Sequence, residues 1–287
     1  MGRAAGVAGG VGRNGTPTIR RMGVYADLYR YRELFGSLFR RDLRAKYKGS
    51  VLGLAWTLAL PVMLMLVYLL VFSVLWRAEA TDFERFWLFL LCGLPPWVFF
   101  ATALQSSARS LLENASLIRK VRFPRQLVPL SIVATQLVAF VVMLAIVLVL
   151  SLAFLPRARD TAWLAIPVAA LIVLFVSGLS LMVASANAIF RDVEFVVAAL
   201  LLPMFFLTPV LYRLESVPGA EAHPWLVDLL HWGNPMTPVI ESFRTPLFFG
   251  EAPATGDLVY LVVETAVALA LGAFVFRRVD DRIAAEV

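Results

Sequence analysis

The sequence predicts an all-α membrane protein with six transmembrane helices and both termini in the cytoplasm. Three observations support this fold class: a composition that is 60% hydrophobic, a mean hydropathy of +0.80, and six apolar stretches long enough to cross a bilayer. Helices are expected because backbone groups that face lipid need hydrogen-bond partners within their own segment. We place the spans at residues 51–76, 86–104, 129–155, 163–189, 195–212 and 257–276.

The distribution of Lys and Arg sets the orientation of these spans. Twenty of the 26 basic residues lie in residues 1–50, in residues 105–128, at Arg191, or after Phe276. The other six lie in the alternate gaps between the spans. The positive-inside rule therefore places the more basic segments and both termini in the cytoplasm. Basic residues this close to a bilayer also make membrane lipids expected partners.

Two segments precede the first span. Residues 1–24 are rich in Gly and Arg and lack an apolar core, which indicates a disordered cytoplasmic tail rather than a signal peptide. Residues 25–50 carry apolar side chains at helical spacing, including Tyr31, Phe35 and Leu38. This pattern favours an amphipathic helix in the membrane interface over a soluble helix packed on a partner protein.

The second span and two of the segments between spans have distinctive sequences. Pro95 and Pro96 predict a kinked or broken second span. Such a kink would have either a role in transport or a role in helix packing alone. Residues 105–128 form a basic cytoplasmic loop. The last external segment, 213–256, is apolar but has no run long enough to cross the bilayer, so we expect short re-entrant helices there. The predicted transmembrane domain covers residues 51–287 and follows the tail (1–24) and the amphipathic helix (25–50).

Catalytic and cofactor signatures are missing from the sequence. It has no phosphate-loop motif, and its only Cys lies in the second span, away from the two His residues of the external segment. We therefore expect no catalytic residues, metal site or cofactor in this chain, and no nucleic-acid partner. Glu264 is an ionisable residue within a span and is a functional candidate for that reason. With Glu241 and Arg244, it forms the predicted set of gating or structural polar residues.

Five ordered segments resemble the permease subunits of type-2 ABC exporters that move lipid-linked polysaccharide, O-antigen or teichoic acid. Together they cover nearly the whole chain after residue 25. The segments are Phe39–Trp56, Gly93–Phe100, Asn114–Pro124, Phe190-Arg191-Asp192 with Thr208-Pro209-Val210, and Asn234–Pro238 with Phe243-Arg244.

The resemblance implies a six-span half-transporter in the bacterial cytoplasmic (inner) membrane. It would work as a homodimer with two copies of a separate ABC ATPase subunit, which would hold ATP and Mg. A coupling helix is expected within Ala108–Val121, although simple positive-inside anchoring would also explain the charge of this loop. The predicted ATPase-coupling residues are Glu113, Asn114, Leu117, Arg119, Lys120, Arg191 and Asp192.

A route for the glycan is predicted from aromatic spacing. Tyr68, Phe72 and Trp76 recur every four residues and form a stripe on the first span. Such rings suit the apolar C–H faces of sugars, but packing or an interfacial aromatic belt would give the same pattern. Phe206 and Tyr212 on the fifth span are weaker candidates for this glycan conduit.

The leading hypothesis is an ATP-driven exporter of a lipid-linked glycan, with a conduit at the dimer interface. The alternatives are an ABC exporter of a small amphipathic molecule or drug, an ion-coupled carrier that uses Glu264, and a membrane-embedded enzyme. The enzyme hypothesis is disfavoured because no cluster of His, Asp or Glu faces the membrane in the predicted topology.

Overall fold

The computed structural model describes residues 29–48, 85–121, 123–214 and 223–286, together with eight isolated positions between 56 and 71. The predicted tail 1–24 and most of the predicted first span lie outside these residues. The described part is helical and contains no strand. Its helices are α1 (Arg32–Tyr47), α2 (Phe86–Glu113), α3 (Ala115–Lys120), α4 (Leu127–Phe154), α5 (Ala165–Ile189), α6 (Val193–Leu207), α7 (Pro224–Trp232), α8 (Met236–Arg244) and α9 (Thr255–Glu286).

Within the described residues, four helical segments are long and apolar enough to cross a membrane, judged by length and composition. They are Phe86–Glu113, Leu127–Phe154, Ala162–Ile189 and Thr255–Asp280, and they coincide with the second, third, fourth and sixth predicted spans. The helix at the fifth predicted span, α6, has only 15 residues. At 1.5 Å per residue it is about 22 Å long, which is shorter than a hydrocarbon core of roughly 30 Å.

The structure ends α6 at Leu207, whereas the sequence predicts a span that continues to Tyr212. Thr208 has an extended backbone (ψ 135°) because it precedes Pro209. Proline disfavours the helical conformation in the residue before it, so the helix stops there. The chain then turns through residues 208–212 at the end of the bundle that the sequence predicts to face outward. We call this the outer end, and the opposite end the inner end.

Helix α2 is unbroken at its two prolines and continues to Glu113, nine residues beyond the predicted end of the second span. Pro95 and Pro96 are both buried within the bundle, the kind of position where a membrane helix tolerates the loss of backbone donors. The predicted break is therefore wrong, whereas the predicted kink stays a prediction. Residues 105–113, predicted to begin the cytoplasmic loop, are therefore a helical extension of the span.

Helix α2 also forms the centre of the bundle, and aromatic pairs join it to three neighbours. Phe99 stacks on Phe140 of α4 with ring centroids 4.8 Å apart. Trp97 lies 5.3 Å from Phe205 of α6, and Phe100 is nearly parallel to a ring of α5 at 6.4 Å. These aromatic contacts bury large apolar area and fix the rotation of α2 in the bundle.

Helices α5 and α9 approach each other backbone to backbone. A Cβ atom added at Gly178 would lie 2.4 Å from the carbonyl carbon of Ala268, and one added at Gly272 would lie 2.3 Å from the carbonyl oxygen of Gly178. Small residues at such a seam let apolar helices pack closely where no hydrophobic driving force exists in lipid. The seam therefore has no room for any side chain larger than hydrogen at either glycine.

Helix α1 packs along the inner end of α4. Leu38 is buried against residues of the α2–α4 connection, including Phe123 and Leu127. Ser131 donates to Asp42 at 2.9 Å, and Lys46 donates to Gln136 at 2.6 Å, so the last two turns of α1 follow α4. The amphipathic helix predicted over residues 25–50 is thus anchored to the bundle by its apolar face and by two polar contacts.

The described part of the predicted external segment contains two α-helices of nine residues each, α7 and α8. Helix α8 is almost entirely buried, whereas α7 has no buried residue. Arg157 donates to the carbonyl of Phe248 at 2.9 Å, and Thr161 donates to the carbonyl of Pro246 at the same distance. These bonds attach the end of the segment to the α4–α5 connection. The depth of α7 and α8 in a membrane stays a prediction.

Candidate coupling and gating sites

The predicted coupling helix Ala108–Val121 is divided in two. Helix α2 ends at Glu113, Asn114 leaves the helical conformation (φ −99°, ψ 16°), and α3 begins at Ala115. The side chain of Asn114 donates to the carbonyl of Ser110 at 2.8 Å. An asparagine that bonds to its own preceding turn competes with the helix, which explains the interruption. Arg41 of α1 also donates to the Asn114 side chain, at 2.7 Å.

The seven predicted coupling residues all lie at the inner end of the bundle, and we call them the coupling surface. They are Glu113, Asn114, Leu117, Arg119, Lys120, Arg191 and Asp192. All of them are exposed except Asn114 and Leu117, which are partly buried. The buried side chain of Ile118 attaches α3 to the bundle beneath them. Charged groups of both signs are therefore accessible at this end.

The turn that carries Arg191 and Asp192 is bonded to the inner end of α2. The amide of Asn187 donates to the carbonyl of Ala108 at 2.8 Å, and its oxygen accepts from the backbone N–H of Glu194 at 2.9 Å. Arg109 lies 3.3 Å from the Glu194 carboxylate. Asn187 was missed by the sequence analysis, although a lone amide near the end of an apolar span is a signal for such a contact.

The described part of the predicted glycan conduit lies at the outer end of α6. Tyr68, Phe72 and Trp76 lie outside the described residues. Phe206 is 57% exposed, and the hydroxyl of Tyr212 donates to its carbonyl at 3.1 Å. The Tyr212 side chain thus lies against the main chain of Phe206.

Arg244 is fully buried at the outer end of the bundle, and its contacts define what we call the Arg244 cluster: Arg244, Phe89, Gly93, Pro209 and Val210. The guanidinium donates to the carbonyls of Pro209 and Val210 at 2.7 and 2.8 Å. Its central carbon lies 3.9 Å from the centroid of the Phe89 ring, in a cation–π arrangement. Burial lowers the pKa of Arg244, and the Glu241 carboxylate, 3.4 Å away, opposes this effect.

Gly93 makes room for the guanidinium of Arg244. A Cβ atom at position 93 would lie 2.3 Å from Nη2 of Arg244 and 3.0 Å from the carbonyl oxygen of Val210. Nearby, Asn234 donates to the Thr208 hydroxyl at 2.9 Å and its oxygen caps the start of α8. The cluster therefore brings together three sequence segments that are far apart in the chain: one each from α2, the α6 terminus and α8.

Glu264 lies in the first third of α9, with both carboxylate oxygens buried and without a hydrogen-bond partner among the described residues. The hydroxyl of the adjacent Thr265 is also buried and has no hydrogen-bond partner among the described residues. Neither residue approaches the Arg244 cluster through any recorded contact. The predicted polar set is thus divided: Glu241 and Arg244 act together, and Glu264 stands apart.

The long apolar helices, with an exposed charged surface at one end of the bundle, indicate a multi-pass membrane protein. Comparison with known families makes the assignment specific. A sequence model of the ABC-2 type transporter family matches residues 33–248. The chain belongs to the ABC-2 type transporter family.

Similar proteins are known polysaccharide-export components. The chain is 36% identical over 253 residues to the O-antigen export system permease protein RfbA of Myxococcus xanthus, covering 87% of this chain and 94% of that one. It is 31% identical to the protein of the same name from Klebsiella pneumoniae over 74% of this chain and 79% of that one. It is also 25% identical to the polysialic acid transport protein KpsM of Escherichia coli, covering 85% and 93% of the two chains.

Proposed function

We propose that this chain is the membrane permease subunit of an ATP-driven exporter that moves a lipid-linked polysaccharide across the bacterial inner membrane. It would act as a six-span homodimer, with an ABC ATPase subunit bound to each copy. The observation that carries the proposal is its similarity to O-antigen permeases along nearly the full length of both chains. The charged inner end and the apolar bundle support it by supplying a place for the ATPase and a path through the membrane.

The coupling surface supports the docking of an ATPase. It presents Glu113, Arg119 and Asp192 at one end of the bundle, so both signs of charge are available for complementary pairing. The bonds of Asn187 to Ala108 and Glu194 join the two parts of this surface. A push on α3 or on the α5–α6 turn would therefore reach the inner end of α2.

Helix α2 then connects the coupling surface to the outer end of the bundle. Its 28 residues span about 42 Å at 1.5 Å per residue. Glu113 ends the helix at the coupling surface, while Phe89 and Gly93 belong to the Arg244 cluster. Because packed helices move as rigid bodies, displacement of α2 by the ATPase would shift α8 and the α6 terminus together. This is the proposed route from nucleotide to external gate.

We place the proposed conduit along the face of α6 that the other described residues do not contact. Only Leu201 and Phe205 of this helix are buried. Phe206 and Tyr212 would line the outer part of the path, and the first-span stripe of Tyr68, Phe72 and Trp76 would face the same space in the dimer. Aromatic surfaces bind sugars through stacking without holding them at one position, which suits a sliding polymer.

The test is ATP-dependent glycan export by the permease reconstituted with its ATPase. We expect the double variant Glu113→Ala/Arg119→Ala to lower export more than tenfold, because two charged contacts at the interface are lost. The matched control is Glu251→Ala/Arg159→Ala, which removes the same charges from exposed positions at the outer end. Export at the wild-type rate by the coupling variant would show that the ATPase does not dock here.

The buried carboxylate of Glu264 supports a second candidate, an ion-coupled carrier. An ion-coupled carrier would transport its substrate without ATP, and Glu264→Gln would abolish that transport. The proposed exporter predicts that Glu264→Gln keeps ATP-dependent export within about twofold, since the amide fills the same volume without a charge. Transport in vesicles that contain the permease but no ATPase separates the two functions.

A further inference from the structure

Two adjoining cavities lie at the inner end of the bundle, beside helix α1. The first, which we call the basic groove, has a volume of about 940 Å³ and is lined by Ser37, Arg40, Arg41, Arg44 and Lys48. The second, the polar pocket, has a volume of about 470 Å³ and lies between α1, α2 and α4. Ala45 borders both cavities, so they meet along one wall of α1.

The basic groove has the chemistry of an anion site. Among the described residues, its lining carries four cations and no carboxylate. Arginine guanidinium groups match the geometry of phosphate oxygens and can donate two bonds at once. Arg41 is already engaged with Asp42 and Asn114, whereas Arg44 forms no hydrogen bond or ion pair with the described residues. The groove therefore keeps donors available for a phosphate.

The polar pocket has a different chemistry. Asp42 and Glu113 balance Lys46 and Arg109, so the lining is formally neutral and offers no net attraction to a second anion. The side-chain amides of Gln105 and Gln136 supply both donors and acceptors. Paired donors and acceptors beside carboxylates suit adjacent hydroxyl groups, which both give and accept hydrogen bonds.

The pocket is also held in shape by bonds between its walls. Lys46 donates to the oxygen of Gln136 at 2.6 Å, and the nitrogen of Gln136 donates to Ser106 at 3.1 Å. Loss of hydration lowers the pKa of Lys46. Gln105, in contrast, is exposed and makes no hydrogen bond with the described residues. A preformed wall with one uncommitted amide is suited to binding rather than to support alone.

We propose that the basic groove and the polar pocket form one bipartite site for the phosphate-linked end of a glycolipid. The groove holds the phosphate, and the pocket holds the first sugar. This inference rests on the proposed function and identifies where the exporter recognises its cargo. The position fits that role, because α1 ends only a few residues before the predicted first span, at the level where a lipid phosphate would meet the bundle.

The test is lipid binding by the full-length permease in phosphatidylcholine nanodiscs, followed by native mass spectrometry. The probes are polyprenyl phosphoglucose and the methyl phosphodiester of the same polyprenol, which has the same single charge but no sugar. Phosphatidylglycerol serves as an ordinary anionic lipid. The variants are Arg44→Gln in the groove and Gln105→Ala in the pocket. Arg32→Gln is the matched control, because Arg32 lies on the same helix but lines neither cavity.

We expect the wild type to prefer the glucose-bearing lipid to both others. Arg44→Gln should weaken both polyprenyl lipids about tenfold, as expected for a lost charge-assisted hydrogen bond. Gln105→Ala should weaken only the glucose-bearing lipid, roughly three- to tenfold for a neutral bond. Arg32→Gln should change neither affinity.

Three results would overturn the proposal. The first is equal binding of polyprenyl phosphoglucose and phosphatidylglycerol by the wild type, which would leave only a surface for membrane lipids. The second is an effect of Arg44→Gln no larger than that of Arg32→Gln. The third is a Gln105→Ala effect that is the same for both polyprenyl lipids, including no effect on either. ATP-dependent export by the wild type is measured separately: export without the binding preference refutes only this site, and its absence refutes the proposed function.

Discussion

Replacing Gly93 by Ala tests whether the Arg244 cluster holds the outer end of the bundle together. The added Cβ would lie 2.3 Å from Nη2 of Arg244, a separation that real Cβ atoms do not show. Since the carbonyl of Val210 is also only 3.0 Å from that Cβ, neither group can stay where it is. The guanidinium must move away and lose at least one of its two short bonds, to Pro209 or to Val210.

The magnitude follows from the state of the guanidinium. A hydrogen bond to a charged group contributes about 1.5–3 kcal/mol, and a buried charge left partly unpaired costs more than a neutral group. We therefore expect Gly93→Ala to lower the free energy of local opening by about 2–4 kcal/mol. At 1.4 kcal/mol per factor of ten, the opening equilibrium should rise roughly 30- to 1,000-fold.

Cys92 provides the assay. It is the only cysteine in the chain, it is fully buried, and it precedes Gly93 directly. Its rate of modification by N-ethylmaleimide in nanodiscs reports how often this part of α2 opens. The matched control is Gly36→Ala in α1, where the nearest atom to the added Cβ is a flexible arginine nitrogen at 3.6 Å. Its labelling rate should equal that of the wild type.

A double-mutant cycle between Gly93→Ala and Arg244→Leu tests whether the two positions conflict sterically. Removal of the guanidinium in Arg244→Leu also destabilises the outer end, but it vacates the space that the Gly93→Ala methyl needs. The double variant should therefore be less destabilised than the sum of the two single variants. Labelling of Gly93→Ala at the wild-type rate, or strict additivity in the cycle, would refute the proposed steric conflict.

Three further substitutions have defined expected outcomes. Gly272→Ala should lower the thermal unfolding midpoint in detergent by several degrees, since its Cβ would lie 2.3 Å from the Gly178 carbonyl oxygen, while Ala270→Val on the exposed side should not. Asn187→Ala should leave the ATPase activity of the complex but lower export per ATP several-fold, because the α5–α6 turn loses its bond to Ala108; equal loss of both activities would indicate simple misfolding. Arg109→Gln should change the thermal unfolding midpoint by only about a degree or two, since its ion pair with Glu194 is largely exposed and such pairs contribute little stability.

The long spans could be predicted because apolar length is a local property of the sequence. Helices α4 and α5 coincide closely with the predicted segments 129–155 and 163–189. The early end of α6 also has a local cause, Pro209, whose effect on Thr208 could have been predicted from the sequence. The continuation of α2 to Glu113 is harder to foresee, because polar residues such as Gln105 and Ser106 follow the apolar run without a helix-breaking residue until Asn114.

The Arg244 cluster could not be predicted because its members are separated by tens to more than a hundred residues. In the sequence, Gly93 is one glycine next to two prolines, and Arg244 is one basic residue of an external segment. Only the fold shows that the glycine is required by the arginine. The resemblance to type-2 exporters selected both segments, and the structure supplies the physical reason for their pairing. The contact between Asn187 and Ala108 is hidden for the same reason, since hydropathy does not reveal which helices are neighbours.

The glycine seam between α5 and α9 limits how such a transporter can move. With no side chains between them at Gly178 and Gly272, the two helices cannot slide without their main chains colliding. The link from Arg125 to Asp280, at 2.9 Å, ties the inner part of α9 to the start of α4 as well. We therefore expect α4, α5 and α9 to stay together as one rigid unit during transport. We expect any widening of the proposed path on the opposite flank, beside α6, which has only 15 residues.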